Sequence, residues 1–258
     1  MVPAQVESIE RLVADEHFDV VAISGDLTQR ARTSEYTRAG AFLRALERTS
    51  PTVVVPGNHD VRWWFAPMHL GRSAAMFGAW RHALQRPVEP VLRLPGVTLV
   101  GLNTSQGITP RTLTWNMRDL SVIGDLRPEQ VAWAVREFEA SPAGDARVIV
   151  MHHNPVKGEL SKRHGLKHTP QILGALADGG VDVVLCGHDH QEAIHEVLHT
   201  RRGTIVSTAG TVSSRSRGGR PSSVNVIEIG AAEITVKTMV WTPGASAFHD
   251  GPRRCFAR

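Results

Sequence analysis

Asp26, Asn58, His59, Asp60, His152, His153, His188 and His190 are carboxylates, imidazoles and an amide. These side chains hold divalent cations and move protons near neutral pH. They fall in short strings: Gly25-Asp26, Gly57-Asn58-His59-Asp60, His152-His153-Asn154-Pro155 and Gly187-His188-Asp189-His190. Oxygen and imidazole donors of this kind suit Mn, Fe, Zn or Co about equally well. Polar groups gathered at the ends of apolar segments cost a fold free energy unless they are used.

Each string follows an apolar run. Val20-Val21-Ala22-Ile23-Ser24 leads into Asp26, and Thr52-Val53-Val54-Val55 is stopped by Pro56-Gly57 before Asn58. Arg147-Val148-Ile149-Val150-Met151 delivers His152, and Val181-Asp182-Val183-Val184-Leu185-Cys186 delivers His188. Short β-branched runs bounded by Gly and Pro read as buried strands. Helical spacing appears over 3–17, with Val6, Ile9, Leu12 and Val13 on one face, and again after Thr33-Ser34, with Tyr36, Ala39, Leu43 and Leu46. Thr33-Ser34 is expected to cap that second helix. A third helix is expected to begin within Gly124–Glu129, burying Val131, Val135 and Phe138, and a fourth to open on Thr169 as cap and Pro170 in the first turn, closed by Gly179-Gly180. A strand, a helix and a strand in succession imply parallel strands. Thr98–Asn103 reads as a further strand, and 104–126 as a loop with an irregular strand near Leu113 to Trp115. Segments 203–208, 223–229 and 233–241 alternate and predict an antiparallel meander. Between 61 and 93, Trp63, Trp64, Phe65, Met68, Met76, Phe77 and Trp80 read either as a cap packed into the core or as a lid beside His59.

The ordered series Gly-Asp, Gly-Asn-His-Asp, strand-terminal His and Gly-His-x-His resembles the calcineurin-like metallophosphoesterases, from about Val6 to the strands after Gly203. The bacterial cyclic-nucleotide phosphodiesterase branch is the most similar. The resemblance implies one α/β domain over 1–258, with two packed mixed β-sheets flanked by helices in four layers. It also implies two divalent metal ions and in-line attack on a small phosphoester by a solvent molecule bridging them. Residue by residue, it makes Asp26 the bridge between the ions. Asn58, His152 and His188 fall to one ion and His190 to the other. His59 becomes the acid that protonates the leaving alkoxide, with Asp60 its expected carboxylate partner. His152, directly after the strand, is favoured over His153 as ligand, and His153 is expected to face the pocket or cap the loop. On an extended strand end, His188 and His190 would face the same side.

The family's opening Asp-x-His is the one departure. Asp15-Glu16-His17 has that spacing but precedes the strand leading to Asp26, so it belongs at the wrong edge of the sheet. The chain is therefore expected to lack its first strand, to be N-terminally incomplete, and to keep only Asp26 and His190 for the first ion. It is read as a truncated phosphodiesterase, as a weakly active variant, or as a metal- or nucleotide-binding member without catalysis. An exposed sheet edge would also allow homo-oligomers.

At 258 residues, 41% hydrophobic, the chain can fill one sizeable core. Its formal charge of +4 suits an anionic substrate, and scattered arginines explain it equally well. The basic stretches Lys157–His168 and Ser213–Arg220 lack the aromatic interleaving of a single-strand binder, so nucleic acid is not the expected partner. Two cysteines make no disulfide framework, and no run is long enough to span a bilayer, which predicts a cytoplasmic protein.

Overall fold

The computed structural model describes residues 2–62, 76–113, 115, 122–161, 165–199, 202–214 and 216–258. The chain enters on helix α1 (Pro3–Glu16), then β1 (Val21–Ile23), α2 (Thr33–Leu46) and β2 (Thr52–Val54). A 3₁₀ turn over Asn58–Asp60 precedes α3 (Gly78–Leu84), β3 (Val91–Leu94) and β4 (Val97–Leu102). Next come α4 (Pro128–Glu139), β5 (Ala146–His153), α5 (Thr169–Asp178) and β6 (Val183–Gly187). The remainder is β7 (Ala193–His199), β8 (Arg202–Thr208), β9 (Ser223–Ile229), β10 (Glu233–Thr242) and β11 (Ala247–Ala257).

A six-stranded mixed sheet runs in the order β3-β4-β5-β6-β8-β7, with β4, β5, β6 and β8 mutually parallel. Helices cover one of its faces: Val131, Ala134 and Phe138 of α4 and Ile172 and Leu176 of α5 pack on Val100, Ile149 and Val184. The other face, through Leu99, Val148, Val150 and Val183, meets Val53 and Val55 of the β2 segment and Ile234 and Val236 of β10. Beyond that layer, α1, α2 and α3 close the molecule around Tyr36, Leu43, Phe77 and Trp80. The order is helices, sheet, sheet, helices, the four layers that the family resemblance implies. Strands buried on both faces need no polar alternation, which is why β5 and β6 read as continuous apolar runs.

The second sheet layer is in two pieces. β1 and β2 form a parallel pair, whereas β9, β10 and β11 form a separate antiparallel meander. The meander is thus shifted by one strand from its expected membership. β8 instead lies parallel to β6 and antiparallel to β7 in the large sheet. β7 and β11 escape the sequence pattern because both are edge strands of mixed polarity. Pro252 and Gly251 of β11 sit at a bulge opposite Lys237–Met239, where a missing N–H does least harm.

Two expected caps are also corrected. Thr33 lies inside α2, and the Glu35 carboxylate instead accepts the Arg30 and Arg32 N–H groups, each at 3.0 Å. Thr169 is the first residue of α5, and its hydroxyl donates to the Leu166 carbonyl at 2.9 Å. Leu113 and Trp115 are exposed and lie in no strand, with Thr114 outside the described residues. Met76, Phe77 and Trp80 are buried core, while Trp63, Trp64, Phe65 and Met68 fall outside the described residues.

Phe138 is buried in the α4 layer, whereas Trp115 is fully exposed. Phe138→Ala should therefore lower stability by about 3–5 kcal/mol in urea unfolding. Trp115→Ala should stay within about 0.5 kcal/mol of wild type.

Candidate metal centre

The strand ends that carry the chemistry-bearing residues converge at one end of the two facing sheet layers. Gly25 and Asp26 follow β1 in left-handed conformations, with φ of 99° and 56°. A side chain at Gly25 would put its Cβ 2.5 Å from the Gly57 nitrogen, and one at Gly57 would fall on the Asp26 carboxylate. Only glycine allows these two turns to press together. In return, the His59 N–H donates to Asp26 Oδ1 at 3.0 Å.

Asp60 binds the same two turns from beneath. Its buried carboxylate accepts from the N–H groups of Leu27 (3.2 Å), Thr28 (2.8 Å) and Gly57 (2.9 Å), and from the Thr28 hydroxyl (2.9 Å). The Tyr36 hydroxyl donates to the Asp60 carbonyl. Burial and the nearby Asp26 charge push the Asp60 carboxyl up to about 7 against those hydrogen bonds.

The expected pairing of His59 with Asp60 is not formed. His59 Nδ1 lies 3.0 Å from the Gln29 carbonyl, which can only accept, so Nδ1 carries the proton and Nε2 is left free. The 3₁₀ turn explains this: successive side chains diverge by about 120°, so neighbours cannot face one another.

β5 contributes two imidazoles with different surroundings. His152 Nδ1 lies 2.7 Å from the Ser24 carbonyl, and the same argument fixes its proton there. Its Nε2 then points at Asn58 Oδ1 (3.0 Å), His188 Nδ1 (3.1 Å) and Asp26 Oδ2 (3.5 Å). His188 Nδ1 is also 3.2 Å from Asn58 Oδ1. All four converging atoms are of the oxygen and imidazole-nitrogen type that binds a cation. A divalent cation would satisfy all four, so the donor set fits one. His153 directs its Nδ1 elsewhere. Its Nδ1 is 2.8 Å from the Thr104 hydroxyl, which also accepts the His153 N–H at 3.2 Å. Its buried ring does not face the pocket but packs against those of His152 and His188, with centroids 4.8 and 4.5 Å away. His152, His153 and His188 thus form a compact group, their ligand atoms all within 4.8 Å.

β6 ends at Gly187, and His188 and His190 follow with φ of 70° and 53°. They are presented by a left-handed turn, not by the extended strand end expected from their spacing. His190 lines the same cavity as Asp26, His59, His152 and His188. The Arg217 N–H donates to the His190 carbonyl at 3.2 Å, so the basic loop after Ser213 does reach this site. Lys162, Arg163, His164 and Arg215 lie outside the described residues. Asp15-Glu16-His17 ends α1 and precedes β1, whereas Asp26 follows it. Ser24, Gln29 and Thr104, which orient three of the imidazoles, are absent from the sequence-based site. Two of them act through backbone carbonyls, which leave no trace in residue type.

Burial, followed by the neighbouring imidazoles, holds His153 and His188 well below the ordinary histidine value of 6.5. The unfolded chain therefore binds more protons at these positions below pH 6.5, and stability falls as pH falls through that value. Asp60 acts in the opposite sense, because its folded value lies above its unfolded 3.8. The His153 share is isolated by difference. The stability of metal-free wild type relative to His153→Asn should fall by about 1.4 kcal/mol per pH unit below 6.5. Urea unfolding of both proteins at pH 7 and pH 5 measures this, and a constant difference would mean a solvated imidazole.

Residues 3–192 match the family model for calcineurin-like phosphoesterases. A cAMP/cGMP dual specificity phosphodiesterase of Mycobacterium tuberculosis is 24% identical over 176 residues, which is 67% of this chain and 48% of that protein. The chain thus spans about half the length of that curated relative. Among solved structures, GAP50 of Plasmodium, an anchor in the inner membrane complex, superposes with a TM-score of 0.56 at 13% identity, covering 97% of this chain and 84% of that one. A phosphoesterase-like protein of Streptococcus pneumoniae gives 0.43 at 13% identity, over 99% and 90% of the two chains. Vps29 of Entamoeba histolytica, as a double mutant, gives 0.42 at 16%, over 96% and 87%. No helix among the described residues is long and apolar enough to cross a membrane. Members of the matched family hydrolyse phosphoesters with divalent metals, and this chain belongs to the calcineurin-like phosphoesterase family.

Proposed function

We propose that this chain is a single-domain, metal-dependent phosphodiesterase acting on a cyclic nucleotide or a similar small diester. The observation that carries the reading is the convergence of Asn58 Oδ1, His152 Nε2, His188 Nδ1 and Asp26 Oδ2 within 3.0–3.5 Å of His152 Nε2 or of one another. Asn58, His152 and His188 would hold one ion, Asp26 would bridge to a second, and His190 would complete that second position. Divalent ions bound there, from among Mn, Fe, Zn and Co, would supply Lewis acidity, lowering the pKa of water and offsetting phosphoryl charge.

The protein's own groups do the rest. The Ser24 carbonyl fixes the His152 tautomer, so that the lone pair stays on Nε2. The Gln29 carbonyl does the same for His59 and leaves Nε2 free at the cavity. His59, protonated at Nε2, gives that proton to the leaving alkoxide. Asp60 acts as the positioning residue for the two turns, not as a proton relay. The diester preference is supported by the mycobacterial relative described as a cAMP/cGMP phosphodiesterase. A cytoplasmic location is part of the proposal, supported by two free cysteines.

A second reading, a metal- or nucleotide-binding member with impaired catalysis, is favoured by the thin donor set on the His190 side. The sequence resemblance assigns Asp26 and His190 to that side. Elemental analysis after Mn²⁺ loading and assay on bis(p-nitrophenyl) phosphate separate the two. Asn58→Ala and His188→Ala should abolish hydrolysis and lose metal, whereas His59→Ala should slow turnover with metal retained. A metal-loaded wild type that hydrolyses no diester would leave the second reading standing. Loss of metal in His59→Ala would end the proton-donor assignment.

A further inference from the structure

The basic loop after Ser213 is locked onto the turn that carries His188 and His190, and its two described arginines, Arg217 and Arg220, are held differently. Three segments interlock there: 158–160, 189–192 and 217–220. The Arg220 guanidinium donates to Glu159 Oε2 at 3.0 Å and to the Glu192 carbonyl at 3.3 Å. The Leu160 N–H donates to Oε1 of the buried Gln191 at 3.1 Å. Gly158 lies so close to the Asp189 carboxylate that a Cβ there would be 1.9 Å from Oδ2. The loop reverses through Gly218 and Gly219, both left-handed, and the Arg220 N–H donates to the Arg217 carbonyl at 3.2 Å. Leu160 lies over that reversal, where a Cβ on Gly218 would come within 2.5 Å of its Cδ1. Arg217 therefore has a fixed backbone, tied by its own N–H to the His190 carbonyl.

Its side chain is the loosely held one. Arg217 Nη1 reaches Asp189 Oδ1 only at 3.5 Å, and the guanidinium is 47% exposed against 7% for the carboxylate. Among the described residues, no other acceptor takes a side-chain N–H of Arg217. A guanidinium presents its N–H donors in a rigid planar fork, so most of that fork faces solvent. Asp189 stands between His188 and His190, and the buried carboxylate tethers the cation at the rim of the candidate metal centre. Ser213 and Ser214 of the same loop line the cavity that Asp26, His59, His188 and His190 also line. The Arg217 charge is felt at the centre itself. After burial and the His152 and His190 imidazoles, it is the next influence holding His188 low.

We infer that Arg217 binds the phosphoryl group of the substrate, donating to a non-bridging phosphate oxygen, with Asp189 as its positioning residue. The inference rests on the phosphoester reading of this site and adds a contact outside the residues assigned to the metals. The planar fork matches phosphate oxygens two at a time, and a charge-assisted pair of this kind orients as well as attracts. Arg220, already committed to Glu159 and the Glu192 carbonyl, holds the loop in place. A long ion pair at the surface contributes little stability by itself, so the Asp189 contact serves mainly to direct the fork.

The test compares wild type, Arg217→Gln and Arg217→Lys after Mn²⁺ loading and desalting. Inorganic phosphate is titrated into each by calorimetry, bound metal is measured, and hydrolysis of bis(p-nitrophenyl) phosphate is followed. Arg217→Gln should keep its metal and bind phosphate about tenfold more weakly, with KM for the diester raised about as much and kcat within about threefold of wild type. Arg217→Lys, which keeps the charge without the fork, should recover part of the phosphate affinity. Unchanged affinity in Arg217→Gln, or no recovery in Arg217→Lys, would overturn the inference, and so would a wild type that binds no phosphate. Loss of metal in Arg217→Gln would overturn it too, because Arg217 would then be a support for the histidine turn. A wild type that binds phosphate through Arg217 yet hydrolyses no diester would end the phosphodiesterase reading and leave this inference standing.

Discussion

The site depends on the contact between two turns, Gly25-Asp26 after β1 and Gly57 before the 3₁₀ turn. Their backbones approach so closely that no side chain fits at either glycine. Such proximity would leave several buried N–H groups without partners, and the Asp60 carboxylate takes three of them. Unpaired buried donors cost on the order of 1–3 kcal/mol each. One acidic side chain therefore makes a local packing possible that would otherwise be unfavourable. Asp26, Asn58 and His59 take their positions from it.

A second tension lies in the cluster itself. Asn58, His152, His188 and Asp26 bring acceptor atoms together in a mostly buried place, and two neighbouring imidazoles are held neutral. The surroundings do not relieve that crowding; they enforce it. Ser24 and Thr104 orient rings on opposite sides, and the large sheet holds β5 rigidly between β4 and β6. Stability is given up locally so that the donors stand ready, a pattern expected at functional sites.

Much of this arrangement is legible in residue types. β1, β2, β5 and β6 are buried on both faces, so their apolar runs are unbroken, and the polar residue that ends each run marks the site. The edge strands β7 and β11 are not legible, because edges mix polar and apolar residues and tolerate Pro252. Residue types also mislead over geometry. Asp60 follows His59 directly, yet a 3₁₀ turn separates the two side chains. His188 and His190 have the spacing of a strand end but stand on a left-handed turn. The split in the second sheet layer is a property of pairing, and no single segment encodes it.

The residues of the cluster come from widely separated parts of the chain. The Ser24–His152 contact spans 128 positions, and that between Asn58 and His188 spans 130. Contacts of this range form late, since each requires a long loop to close before it returns any free energy. No partly folded fragment can assemble the cluster, because β1, β2, β5 and β6 must all be in register first. A cation with affinity for the assembled donors would pull only on the final folded state, lengthening its lifetime while leaving the early steps of folding untouched.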